Sequence, residues 1–115
     1  MEVAISDRKL KRSIENDMER RKRFGADMAK KIRQRMGALA AADSLADFWP
    51  PYSGPERCHE LKAGLAGTFS MDLKHPYRLL FEPLNLEADI ATNDERKRWQ
   101  SIISVNVIDI EDTHG

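Results

Sequence analysis

Six polar side chains stand where they could act on a phosphodiester. His59 opens the run His59-Glu60-Leu61-Lys62, Lys74 and Arg78 lie either side of a His75-Pro76 break, and Asp112 and His114 close the sequence with Thr113 between them. An imidazole titrates at roughly pH 6.5, so a histidine here could take and return a proton at cellular pH. Asp112, two residues before His114, could fix that ring's tautomer and favour its charged form. Arg78 interrupts an apolar pattern where a structural residue would be apolar, and Lys62 and Lys74 fall at neighbouring strand ends. Each has a bland account taken singly, as an exposed strand-end base or an idle terminal histidine. Together they match RNA cleavage by the 2′-hydroxyl. That chemistry needs a base for the hydroxyl proton, cations for the charged phosphorane and an acid for the departing 5′-oxygen.

The element that must position them is the stretch from Arg57 to Pro83. Phe69, Met71 and Leu73 alternate with Ser70, Asp72 and Lys74, and Tyr77, Leu79 and Phe81 alternate with Arg78 and Glu82. A period of two marks half-buried strands. The glycine-bearing run from Ala63 to Gly67 and the His75-Pro76 pair supply the turns. Links this short join antiparallel neighbours, so the spacing predicts a three-run meander over Arg57–Lys62, Thr68–Lys74 and Tyr77–Glu82. Its second face carries Ser70, Asp72, Lys74, Arg78 and Glu82, more charge than a core accepts. Arg78 should therefore point away from the apolar face into an open groove, with Lys74 beside it.

Around the meander, Val3 and Ile5 predict a short N-terminal edge strand. Leu10, Ile14 and Met18 recur every four residues, which predicts one amphipathic helix from Asp7 to about Arg23, N-capped by Ser6 and ended by Gly25. Met28, Ile32, Met36 and Leu39 predict a second helix from about Asp27 to Ala42, and the two stripes need the meander's apolar face to cover. Asp47–Pro55 reads as a proline-rich connector with three aromatics, leading the chain across an edge of the fold. Leu84–Arg98 reads as a loop with a short helix near Asp94, pinned by Trp99. Ile102–Ile110, apolar on both faces, predicts a strand inside the sheet, with Asp112 and His114 just past its end.

A chain of 115 residues, 41% hydrophobic and 33% charged, fits one soluble domain spanning 1–115. No apolar run reaches membrane-span length and the N-terminus lacks a signal-peptide core, which predicts a cytoplasmic protein. Cys58 is the single cysteine, so no internal disulfide forms. Nineteen basic residues balance nineteen acidic ones, unevenly. Twelve bases face eight acids up to Phe48, and three face seven after Pro83. The bias allows nucleic-acid contact along the N-terminal half, although a basic helix is more often a solvated face. No phosphate-binding loop, dinucleotide fingerprint or nucleophile elbow is present. Gly64-Leu65-Ala66-Gly67 has the form of a KH clamp, but flanking strands make it a turn. The three histidines lack zinc spacing.

At these residues the sequence resembles the HigB-like killer proteins of the RelE/ParE toxin superfamily. The resemblance runs through His59-Glu60-Leu61-Lys62, the glycine turn, Phe69-Ser70, Tyr77-Arg78-Leu79-Leu80-Phe81 and the ending Glu111-Asp112-Thr113-His114. With the helix pair and N-terminal strand it covers nearly the whole chain. It implies a compact α+β fold, an N-terminal strand and two-helix hairpin packed on an antiparallel sheet of four to five strands. It also implies a ribosome-dependent mRNA endonuclease, held silent by a helix-turn-helix antitoxin through which alone it would meet operator DNA. His114 would be the general acid or base, oriented by Asp112. Arg78 would stabilise the scissile phosphate, and His59, Lys62 and Lys74 would support or bind the RNA, with no cofactor or metal. Two departures stand out: Thr113 where such toxins often carry tyrosine, and a net charge of zero. Two other readings share the fold. One is a gyrase inhibitor of the ParE branch, against which the Asp112-Thr113-His114 ending argues. The other is a degenerate module whose helices only hold an antitoxin.

Overall fold

A computed structural model describes residues 1–62, 67–84 and 94–112. The elements run β1 (Glu2–Ala4), α1 (Arg8–Glu15), α2 (Asp17–Phe24), α3 (Ala26–Ala41), a 3₁₀ turn (Leu45–Phe48), β2 (His59–Glu60), β3 (Phe69–Asp72), β4 (Tyr77–Pro83), α4 (Glu95–Ser101) and β5 (Ser104–Asp112). Five strands form one mixed sheet in the order β1-β5-β4-β3-β2. The expected meander is present, antiparallel from β2 to β3 to β4. Its first strand is only two residues long.

β5 is the interior strand that the apolar run predicted, parallel to β1 on one side and antiparallel to β4 on the other. Its bounds lie two residues later than expected. Ile102 belongs to the end of α4, and Asp112 is the strand's last residue, opposite Tyr77. A bulge between Leu80 and Phe81 lets Ile108 drop out of the pairing, so Leu80 faces Asp109 while Phe81 faces Val107.

The helices cover the face carrying Phe69, Met71, Leu79, Phe81, Val105 and Val107, all buried with Ile14 and Ile32. Ile14 and Ile32 are 2% and 0% exposed. Burying an aliphatic side chain that fully contributes about 1.5–3 kcal/mol, so these stripes hold the layers together. Trp99 pins α4 as expected. It is fully buried, edge-on to Phe69 at 5.5 Å and to Trp49 at 5.1 Å.

The single helix expected over Asp7–Arg23 is instead two. Asn16 takes extended angles, φ −92° and ψ 121°, closing α1 and capping α2 by accepting from the Glu19 N–H at 3.0 Å. Asn-Asp is a strong start signal, and here it overrides the four-residue repeat. Met18 falls outside the stripe and is 81% exposed. Arg20 folds back across the break, donating to the Ile14 carbonyl at 2.6 Å and pairing with Asp17. Asp7, not Ser6, caps α1, accepting from the Leu10 N–H at 2.8 Å. Ser6 instead joins β1's exit to β5, its N–H donating to the Asn106 side chain at 3.0 Å. Gly25 ends α2 as expected, at φ +81° where a side chain would be strained.

Candidate functional site

The sheet face turned away from the helices carries the polar side chains in two rows. Paired residues of antiparallel strands share a face, so the register fixes each row. One row runs His59, Ser70, Leu80, Asp109 across β2, β3, β4 and β5. The next runs Asp72, Arg78, Glu111 across β3, β4 and β5. The rows lie two residues apart along each strand, about 7 Å.

Asp72 is the centre of the second row. Its carboxylate reaches Arg57 Nε at 3.3 Å through one oxygen and Arg78 Nε at 3.7 Å through the other. Two guanidinium groups are thus gathered on one carboxylate. Together with Leu73, His75, Pro76 and Tyr77 they line a cavity of about 220 Å³. An anion entering it would meet two planar, permanently charged donors, which suit phosphate geometry better than lysine does.

Arg57 arrives from a loop that is tightly closed on itself. Tyr52 N–H donates to the Cys58 carbonyl at 3.0 Å, Ser53 N–H to Pro50 at 3.1 Å and Arg57 N–H to Ser53 at 3.2 Å. Tyr52 at φ +66° and Arg57 at φ +47° both occupy the left-handed region that such residues seldom adopt. Non-glycine residues held there concentrate at functional sites, because the surroundings must enforce them. The geometry stacks three side chains. The Arg57 guanidinium lies 5.3 Å from the Tyr52 ring centroid, and Tyr52 stacks on His59 at 4.0 Å with an 18° interplanar angle.

His59 is buried beneath that stack, 5% exposed. Its Nδ1 lies 2.8 Å from the Arg57 carbonyl, which can only accept, so Nδ1 carries a hydrogen and donates it. The Ser70 hydroxyl beside it is buried without a hydrogen-bond partner among the described residues. Ser70 is fully buried, where the alternation expected an open polar position.

The remaining candidates separate. Lys62 is exposed just beyond β2, whose Glu60 is tied to Arg98 of α4 at 2.5 Å and to the Gly67 N–H at 2.9 Å. Lys74 does not flank Arg78. The turn after β3 swings it to the helix side, where it reaches Asp27 at 3.5 Å. Asp112 lies in register with Tyr77, on the face opposite Arg78, rather than past the strand's end. His114 and Thr113 lie outside the described residues, as do Ala63–Ala66 of the glycine turn.

Besides Arg57, two contributors were hidden from the sequence reading. Arg35 sits in the basic α3 yet is 6% exposed, donating from Nε to the Asp72 carbonyl at 2.7 Å and from Nη2 to the Pro55 carbonyl at 3.1 Å. It holds the Arg57 loop and the end of β3 together. The signal was present: Arg35 stands three residues after Ile32 and four before Leu39, on the buried stripe, while Met36 is only partly buried. Asp72 was noticed only as a charge on the outer face. Cys58 plays no part in the cluster: it is fully buried, and burial with Glu56 nearby pushes its thiol far up, so it stays protonated. Among the described residues no group of three or more His, Cys, Asp or Glu could hold a metal ion, and no helix is long and apolar enough to cross a membrane.

No family model and no curated protein matches the chain. Among solved structures, a YoeB/ParE toxin from Agrobacterium tumefaciens matches with a TM-score of 0.54 at 16% sequence identity, over 96% of this chain and 96% of that one. The chain therefore shares the α+β fold of that protein, along nearly the whole length of both chains.

Proposed function

We propose that the chain is the toxin of a toxin–antitoxin pair, of the HigB-like kind, and that it cleaves mRNA on the ribosome by attack of the 2′-hydroxyl. The observation that carries this reading is the pair of guanidinium groups on Asp72 at the rim of an open cavity, in a fold shared with a toxin. Arg78 and Arg57 would hold the scissile phosphate and offset the charge of the phosphorane. His114, with Asp112, remains the candidate acid or base, and Lys62 an RNA contact. Lys74, on the helix side with Lys30 and Lys31, would meet RNA away from the cut. His59 would act by supporting Tyr52 and Arg57 from below. A helix-turn-helix antitoxin would silence the protein by covering this surface.

A gyrase inhibitor of the ParE branch is the second reading, favoured by the structural neighbour's being a YoeB/ParE toxin. Such an inhibitor needs no phosphate cradle. Inducing the wild type, Arg78→Ala and His114→Ala without an antitoxin, then mapping mRNA ends, separates the two. Growth arrest with new mRNA ends, lost in Arg78→Ala, supports cleavage. Arrest with intact mRNA and damaged DNA supports gyrase, and equal cleavage by His114→Ala removes that residue from the mechanism.

A further inference from the structure

The nuclease reading leaves the roles of acid and base undivided at His114, and among the described residues the register supplies a separate base for the outer face. A base for the 2′-hydroxyl must stand on the same face as Arg78. Asp112 is on the other face, opposite Tyr77. Asp72 is on the right face, but its oxygens are engaged by Arg57 and Arg78. Asp109 is one row away, and its Oδ1 accepts from the Ile110 N–H at 2.8 Å. Glu111 stands directly across from Arg78, where paired side chains start about 5 Å apart. Its longer side chain is partly exposed, one residue before the last of β5.

We propose that Glu111 is the general base of this site, taking the proton of the attacking 2′-hydroxyl, while Asp109 positions it from the neighbouring row. The inference rests on the nuclease reading. In the step, the 2′-oxygen gives its proton to the Glu111 carboxylate and bonds to phosphorus. The bond from phosphorus to the 5′-oxygen breaks, and that oxygen leaves with a proton from water. The products are a 2′,3′-cyclic phosphate and a 5′-hydroxyl, with no oxidant or reductant consumed. Arg78 and Arg57 hold the non-bridging oxygens throughout.

The surroundings suit a base. A hydrogen bond to Asp109, some loss of solvent and the Asp109 charge all push the Glu111 carboxyl above its ordinary range, making it a better proton acceptor than a free glutamate. The charged groups facing it among the described residues are Asp109 on its own strand, Arg78 on β4 and, beyond Arg78, Asp72 on β3. β1 pairs with β5 only at Ser104–Asn106, the far end.

The test measures single-turnover cleavage of a ribosome-bound mRNA by the purified chain from acid to mildly alkaline pH. The wild-type rate should fall toward acid as Glu111 takes up its proton. Glu111→Gln should be slower by about 10²–10⁴-fold and lose that acid limb. Asp109→Asn should keep the base but shift the limb to lower pH, because the carboxylate hydrogen bond and the charge of Asp109 no longer raise the Glu111 carboxyl, leaving only its partial loss of solvent. A cutting wild type with an unimpaired Glu111→Gln overturns this inference alone. An unmoved acid limb in Asp109→Asn also overturns it, and this variant decides the matter if Glu111→Gln melts early. A wild type that cuts nothing at any pH overturns the nuclease reading beneath it.

Discussion

Asp72 shows how one carboxylate can organise a site without doing its chemistry. It keeps two like-charged guanidinium groups within reach of one another, an arrangement that neither arginine would adopt alone. The pairs are partly exposed, with side chains 31% accessible for Asp72, 53% for Arg57 and 21% for Arg78. Ion pairs so exposed contribute at most about 1 kcal/mol to stability. Asp72→Asn should therefore leave the melting temperature nearly unchanged while lowering mRNA cleavage, because the amide cannot hold both arginines by charge. Arg78→Ala should lower cleavage further at similar stability. A large fall in melting temperature with Asp72→Asn would assign the cluster to the fold rather than to function.

At the scale of elements, α3 reaches the site through a residue that the charge pattern concealed. Twelve bases in the N-terminal half read naturally as a solvated surface, and ten of those positions are exposed. Arg20 is buried against the Ile14 carbonyl, and Arg35 lies on the buried stripe and satisfies two carbonyls. Arg35→Met keeps most of the volume but strips both partners of their donor. Leaving buried acceptors unmet costs about 1–3 kcal/mol, so thermal melting should detect it. The variant should also lose activity beyond its loss of stability, measured below its melting range, because the Arg57 loop and β3 are no longer tied together.

The break at Asn16 belongs to the same scale. A four-residue apolar repeat cannot reveal it, because Leu10 and Ile14 pack identically in one long helix or a short one. Only Asn16-Asp17 carried the signal, and Met18 on the repeat outweighed it. Replacing Asn16 by alanine removes the bond from the Glu19 N–H and should destabilise the chain by about 1 kcal/mol. A rise in melting temperature would mean that a continuous helix fits, and that the break contributes nothing to the fold.

Across the whole molecule, what the sequence made legible followed from short-range periodicity. Alternation located the meander, the interior strand and the face of Arg78, and paired apolar stripes located the helices. Lys74 escaped because the turn after β3 cancels the alternation that carried the reading past Leu73. The Asp72 cluster escaped because Arg57 comes from a loop whose left-handed residues have no sequence mark resembling a glycine. The charge bias, by contrast, survives in three dimensions. Arg20, Arg21, Lys30 and Arg33 line a cleft of about 250 Å³ between α2 and α3, with Asp17 among them. Lys74 extends the basic surface beside Lys30 and Lys31.

That surface gives the nuclease reading a signature independent of cleavage. Each phosphate neutralised by a basic side chain releases condensed counterions, so affinity for RNA falls steeply with salt, with a slope of about 0.7 per phosphate contact on single strands. Binding of the Arg78→Ala chain to ribosomes should remain salt-dependent, since the helical surface is untouched. Reversing charge at Lys30 and Arg33 should flatten the dependence and weaken binding, while leaving the positions of the cuts unchanged, because phosphate contacts position the protein without reading bases. The measurement is a filter-binding or sedimentation titration at several ionic strengths beside end-mapping of the cleaved message. Salt-insensitive association would mean that apolar contacts to a protein target govern binding, as a gyrase inhibitor requires. Altered cut sites would mean that the α2–α3 surface reads the message itself.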